Sequence, residues 1–315
     1  RELDGQEEKR DAADFALWKS AAPEHIMRWQ SPWGEGYPGW HIECSAMATK
    51  YLGAQFDIHG GGMDLLFPHH ESEIAQSTIC NHTAPVRYWM HNNMITINGR
   101  KMGKSYNNVI KLTELFSGTH PLLEKGFHPM TVRFFILQTH YSSTLDFSNE
   151  ALIAAEKGLK RLWDAYEVSK KLSREEKAVA IDQDLDKKVN NLIDEFAVHM
   201  DDDFSTAKVL ANMFELVPII NSMKDGIISS ATIAASTFTK LQQSLKIWLE
   251  DILGLKAVSE ADNDKLQAVM QLLIEMRKDA KANKDFATSD KIRNQLAAIG
   301  IQLKDEKGGG MSWSI

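Results

Sequence analysis

Cysteine is scarce in this chain: two residues, Cys44 and Cys80, stand among 315. That excludes a disulfide framework and fits a reducing compartment, so a cytoplasmic location is expected. Long apolar runs are missing too. None approaches the ~20 residues a helix needs to span a bilayer, and no membrane association is expected. The opening "RELDGQEEKRDAADF" is charged throughout and lacks the basic-then-apolar order of a secretory signal. Positive charge is not in excess either. A formal net charge of −7 gives no general attraction to phosphate backbones, so a nucleic-acid partner would need local basic patches. Repeats and low-complexity tracts are absent. What is present is an ordinary globular composition, 43% hydrophobic and 25% charged, with length for about two or three domains.

Two kinds of pattern divide the chain. After a polar start, "GWHIECSAM" reads as a short buried strand running into a helix that Gly53 ends, and "QFDIHGG" as a second strand. "PHHESEIAQSTICN" reads as a helix, with Pro68 at its first position and Glu71 and Glu73 at its positive end. "RYWMHNNMITING" is strand-like and leads into a Lys-rich turn. That alternation is an α/β pattern. Beyond about residue 125 the apolar residues recur at three- and four-residue spacing, as in "LIAAEKGLKRLWDAYEVSKKL" and "DFSTAKVLANMFELVPIINSMK", which predicts a helix bundle. After "LKAVSEADND" come two more helical runs and a terminal hairpin.

The stretch "DIHGGGMDLLFPHHESE" concentrates metal-capable groups beside a flexible loop. On one helix, His69 and Glu73 lie four apart and share a face. With Cys44 as third ligand, a thiolate, an imidazole and a carboxylate suit Zn²⁺. His70 points about 100° away and is the weaker ligand. Taken singly, such a pair is a surface contact and a lone cysteine a small core residue; Cys80 is assigned to the core of its helix. Joined to the glycines, which let backbone approach a ligand, they point to a site. In "NGRKMGKSYNN", Lys101 and Lys104 flank a turn and can close on a polyphosphate, although such a turn is often only solvated loop.

"KMGKS" resembles the KMSKS signature of class I aminoacyl-tRNA synthetases. "PGWHIECSAM", "DIHGGGMDLLFPHHESEIAQ" and "DDDFSTAKVL" resemble the cysteinyl-tRNA synthetases in particular. The likeness continues through "RFFILQTHYSSTLDFSNEAL" to "RNQLAAIGIQLKDEKGGGMSW". It implies one zinc on Cys44, His69 and Glu73, which binds the thiolate of substrate cysteine. It places Trp40 and His59 beside the amino-acid pocket, Asp64 near the adenosine, and Lys104 on the ATP phosphates, with Lys101 and Lys104 as the catalytic charge stabilisers. ATP with Mg²⁺, cysteine and tRNA(Cys) are the implied partners of a monomer.

The implied architecture is α/β plus all-α. Residues 1–30 would close a connective insertion, and 31–112 form the C-terminal half of a Rossmann-type catalytic domain with the zinc site and lysine loop. A stem-contact region then spans 113–152, an antiparallel helix bundle 153–254, and a small α+β anticodon-binding domain 255–315. Arg277, Lys278, Lys281, Lys284 and Trp313 are its candidates for RNA contact.

The family's N-terminal zinc-ligand cysteine and HIGH signature do not occur here. The expectation is therefore a truncated form that does not activate cysteine by itself. Gly103 stands where the family has serine, which should loosen the loop, and Ser142 stands where it commonly has arginine. Two other enzymes compete: a cysteine–amino-sugar ligase, which lacks an anticodon unit, and a zinc hydrolase, for which Glu71 is the nearest partner base. A non-catalytic RNA-binding fragment is the third alternative.

Overall fold

A computed structural model describes residues 9–11, 13–176, 179–258, 260–298, 301–305 and 311–314. The chain divides into two compact units, one within residues 1–94 together with Tyr141–Thr144, the other formed by the rest.

In the first unit, β1 (Trp18–Ser20) and β2 (Gly36–Pro38) pair antiparallel. His41, in left-handed conformation at φ 75°, turns the chain directly into α1 (Ile42–Leu52). The expected strand through "GWHIECSAM" therefore does not form, and Cys44 sits in the first turn of a helix. Strand β3 (Phe56–Gly62), helix α2 (Glu71–Asn81) and strand β4 (Val86–Asn92) make a βαβ unit, with Ile58 opposite Tyr88 and His59 opposite Trp89 in a parallel pair. Phe67 is extended at φ −134°, ψ 135° and interrupts the π-type turn Leu66–His70. From Pro68 the chain is helical and runs on into α2, so the helix starts with Pro68 at its first position, as the sequence suggested. Helices α1 and α2 are joined by polar contacts, Ser45 Oγ donating to Gln76 Oε1 at 2.8 Å and Asn81 Nδ2 to Thr49 Oγ1 at 3.0 Å. Cys80 is exposed on α2, which corrects its assignment to the helix core.

The second unit opens with β5 (Ile95–Ile97) and β6 (Arg100–Lys101), then α3 (Leu112–Ser117), α4 (Pro129–Leu137) and β7 (Leu145–Phe147). Strand β5 is central in a three-stranded sheet, antiparallel to β6 and parallel to β7. The bundle follows: α5 (Asn149–Lys171), α6 (Gln183–Asp201), α7 (Thr206–Lys224) and α8 (Ala235–Lys246), which ends in a π-type turn at Ile247–Ile252. Ser148 caps α5 by accepting from the Ala151 amide at 3.1 Å, and Asp182 caps α6 through the Asp184 and Leu185 amides. One continuous core runs from Ile97 through Phe134, Leu159, Phe196, Met213 and Leu249, its residues spaced as the helical periodicity required. Each such buried side chain contributes roughly 1.5–3 kcal/mol. Tyr166 is buried in it and donates to Glu250 Oε1 at 2.6 Å. Burial, then that carboxylate, drives the phenol far above its usual range.

Helices α9 (Glu260–Ala282) and α10 (Phe286–Ala298) and the antiparallel hairpin of β8 (Gln302–Asp305) and β9 (Met311–Ser314) complete the unit. Met270, Leu296 and Ile301 form a separate small core under Leu303 and Trp313. Arg277 is buried, only 2% exposed, so the expected basic face of α9 loses one member. Lys278 and Lys284 remain exposed.

Candidate functional site

Strands β3 and β4, the π-type turn, α2 and the turn into α1 bring five imidazoles and one carboxylate into contact. Glu73 is at the centre and is buried on the inner face of α2. Its Oε2 takes a hydrogen bond from His59 Nε2 at 2.7 Å, and its Oε1 lies 3.3 Å from Nδ1 of His41. His41, Cys44 and Glu73 offer ligand atoms within 4.8 Å of one another, as do His59, His70 and Glu73.

Sequence reasoning placed Cys44, His69 and Glu73 together. The structure gathers Cys44 and Glu73, and His41 stands beside them. His69 is one step further out, its Nδ1 2.7 Å from Nε2 of His41. His41 and His91 went unnoticed in the sequence. The signal for His41 was its place three residues before Cys44, a ligand spacing within one helical turn. His91, on β4, carried no local signal; it shares a hydrogen bond of 2.8 Å with His70 that only strand pairing creates.

The donor set fits a divalent cation. Nδ1 of His41 is buried without a hydrogen-bond partner while it faces a carboxylate and a thiol. Buried polar atoms are nearly always satisfied, and an ion between these groups would satisfy this one. Burial, followed by the charges of Glu73 and Glu43, pushes the Cys44 thiol above its ordinary value. Burial likewise lowers the His70 pKa from its ordinary value, with Glu73 opposing.

Aromatic rings wall the cluster. Trp40 stacks on His41 with ring centroids 5.1 Å apart and meets His69 edge-on at 4.5 Å. Trp89 covers His59 and His70 at 4.6 and 4.9 Å. Trp40 also lines, with Trp29, Tyr37, Lys19 and Glu43, a cavity of about 360 Å³. Asp64 is exposed in the short turn Met63–Leu65 after β3.

Lys101 and Lys104 belong to the second unit. Met102 is anchored on β5 by its amide, which donates to Ile95 O at 3.1 Å, and its side chain packs against the core. Both lysines are exposed on either side of it. Gly103 has φ −171°, extended backbone open to any residue. A serine there would place its β-carbon 3.3 Å from Tyr106 Cδ2, so a small shift of that exposed ring admits it.

Residues 1–157 match the family model described as "tRNA synthetases class I (C) catalytic domain", and residues 195–257 match the DALR domain. A cysteine–tRNA ligase of Phocaeicola vulgatus is 53% identical over 318 residues, covering 100% of this chain and 63% of its own length. One from Bacteroides thetaiotaomicron is 54% identical over 312 residues, covering 98% of this chain and 62% of its own. The chain thus spans less than two thirds of these relatives. A solved Agrobacterium radiobacter LeuRS–tRNA–LeuAMS complex aligns at TM-score 0.48 with 14% identity, over 73% of this chain and 34% of that one.

Proposed function

The chain belongs to the class I tRNA synthetase (C) catalytic-domain family, and on that premise we propose that it serves ligation of cysteine to tRNA(Cys) through a cysteinyl-adenylate. The observation that carries this reading is the meeting of the Cys44 thiol, the Glu73 carboxylate and an unsatisfied imidazole nitrogen beside Trp40 and His59. A zinc ion there would bind the substrate thiolate, a discrimination against serine beyond the ~1–3 kcal/mol that pocket shape supplies.

Cys44 and Glu73 supply two donors. The third comes from the hydrogen-bonded pair of His69 and His41, the former by helical spacing and the latter by proximity. Trp40 and His59 confine the small amino acid. With ATP and Mg²⁺ as co-substrate, Lys101 and Lys104 neutralise charge as pyrophosphate leaves, and Asp64 receives the adenosine. Such a site works by positioning more than by a dedicated acid or base.

The DALR match and the α9–α10 unit favour tRNA over an amino sugar as acceptor. In this reading the bundle is a strut, and the last unit holds anticodon phosphates through Lys278 and Lys284. Among the described residues no helix is long and apolar enough to cross a membrane. From the family resemblance we further propose a monomer acting in the cytoplasm.

Titration calorimetry tests the reading. The zinc-loaded chain should bind cysteine at least tenfold more tightly than serine, and Cys44→Ala should abolish both metal retention and that preference. Replacing His41 and His69 singly, with zinc counted by atomic absorption, decides which imidazole is the ligand. Equal affinity for cysteine and serine would sink the proposal.

A further inference from the structure

Asn108 follows the lysine loop and is one of its few buried residues, 8% exposed. Its side chain reaches back across the loop in two directions. Oδ1 accepts from the Gly103 amide at 2.9 Å, and Nδ2 donates to the Lys101 carbonyl at 3.1 Å. The amide's orientation is dictated by these partners, since a flip would set donor against donor and acceptor against acceptor. The far side of the loop is a short helical turn, Tyr106 N to Gly103 O at 3.0 Å and Asn107 N to Lys104 O at 3.1 Å. Asn107 then reverses the chain at φ 50° and delivers Asn108 beneath residues 101 and 103.

The preceding hairpin is tied separately. Asp146 Oδ1 takes the Thr96 hydroxyl at 2.6 Å and the Gly99 amide at 2.7 Å. The β5–β6 turn is therefore held without help from Asn108. Between the lysines Met102 is held to β5 by its own amide, and Asn108 clips the backbone on either side of it, at the Lys101 carbonyl and the Gly103 amide.

We propose that Asn108 is the positioning residue of the lysine loop: its carboxamide fixes the backbone at Lys101 and Gly103, so that both ammonium groups face one polyphosphate. This rests on the reading of Lys101 and Lys104 as phosphate ligands. The physical reason is entropic. Lysines on a glycine-containing loop lose freedom when they close on an anion, and a buried two-point clip removes part of that loss beforehand. A loop with glycine at position 103 needs such a clip more than one with serine.

The test uses the whole chain, with Mg·ATP as probe. In Asn108→Ala, hydrogen exchange at the Gly103 amide and tryptic cleavage after Lys101 and Lys104 should each accelerate about tenfold, the scale of two lost hydrogen bonds. Exchange in α5 and α7 should not move. The Mg·ATP concentration that half-protects the loop from trypsin should rise about tenfold. Asn108→Asp keeps the acceptor for Gly103 but turns an oxygen toward the Lys101 carbonyl. It should restore slow Gly103 exchange while leaving ATP protection weak, and it serves as the second variant if the alanine form folds poorly.

Exchange within twofold of the parent in Asn108→Ala would overturn the clip. A loosened loop with an unmoved ATP midpoint would overturn its role in positioning. Absence of ATP protection in the parent itself, with Gly103 exchange still raised in the variant, would instead remove the phosphate reading of the loop and the positioning role with it.

Discussion

At Gly61 a β-carbon would lie 2.5 Å from Cε1 and 2.9 Å from Nε2 of His70, with Leu65 Cδ1 at 3.2 Å. The glycine is there because the buried imidazole occupies the space of a side chain. Its neighbour Gly60 is different: a β-carbon would meet only Met90 O, at 3.6 Å, an ordinary contact. Gly61→Ala is therefore expected to cost about 1–3 kcal/mol and to displace His70 from His91. Gly60→Ala should stay within about 1 kcal/mol of the parent, as read by urea denaturation. At this scale the sequence was informative about which chemically capable residues gather in one place, and silent about their partners. Cys44, Glu73, His59 and Trp40 were all legible and all lie in one cluster. His41 as a neighbour of Cys44, and His91 as a partner of His70, depended on a left-handed turn and a strand register.

Helix α4 shows how one side chain couples an element to pH. Its N-cap is His128, whose Nδ1 accepts from the Met130 amide at 3.1 Å, with Pro129 at the first helical position. A protonated ring has no lone pair for that bond, and burial lowers the His128 pKa from its ordinary 6.5. The sign follows from proton counting. Above the ordinary value neither state is charged and the group is neutral to stability. As pH falls below it the unfolded chain binds a proton that the folded chain resists, so stability drops until the lowered folded value is passed. Thermal melts across that interval should show this slope in the parent. In His128→Asn, which caps without titrating, the slope should be smaller. The same scale explains the misreading at α1. "GWHIECSAM" is short, apolar and β-branched in part, and a run of that length does not separate strand from helix. The long bundle helices had no such ambiguity, because several turns of consistent spacing admit one period.

Burial is unevenly shared across the whole molecule. In the first unit Val86, with Pro85 beside it, is the buried apolar residue among those described, whereas the bundle holds a continuous core. Polar and aromatic contacts around Glu73 carry much of the first unit's cohesion. Amides in α2 and β4 are therefore expected to exchange at least tenfold faster than those in α5 and α7. Zinc at a hundredfold excess over its dissociation constant should slow the first group by about 2.7 kcal/mol worth of protection and leave the second unchanged. Uniform exchange across both units, indifferent to zinc, would count against a metal-stabilised first unit.

By itself the sequence determined the kinds of element where a pattern ran for several turns, the apolar faces of the bundle and the identity of the chemical groups, because periodicity and residue type are local properties of the chain. Only the tertiary structure decided that His41 stands beside Cys44, that Arg277 is buried, and that Asn108 closes on the lysine loop. Those are matters of a few ångströms between residues whose separation in sequence says nothing of their approach, and the parallel register, the left-handed turns and the packing of side chains settle them.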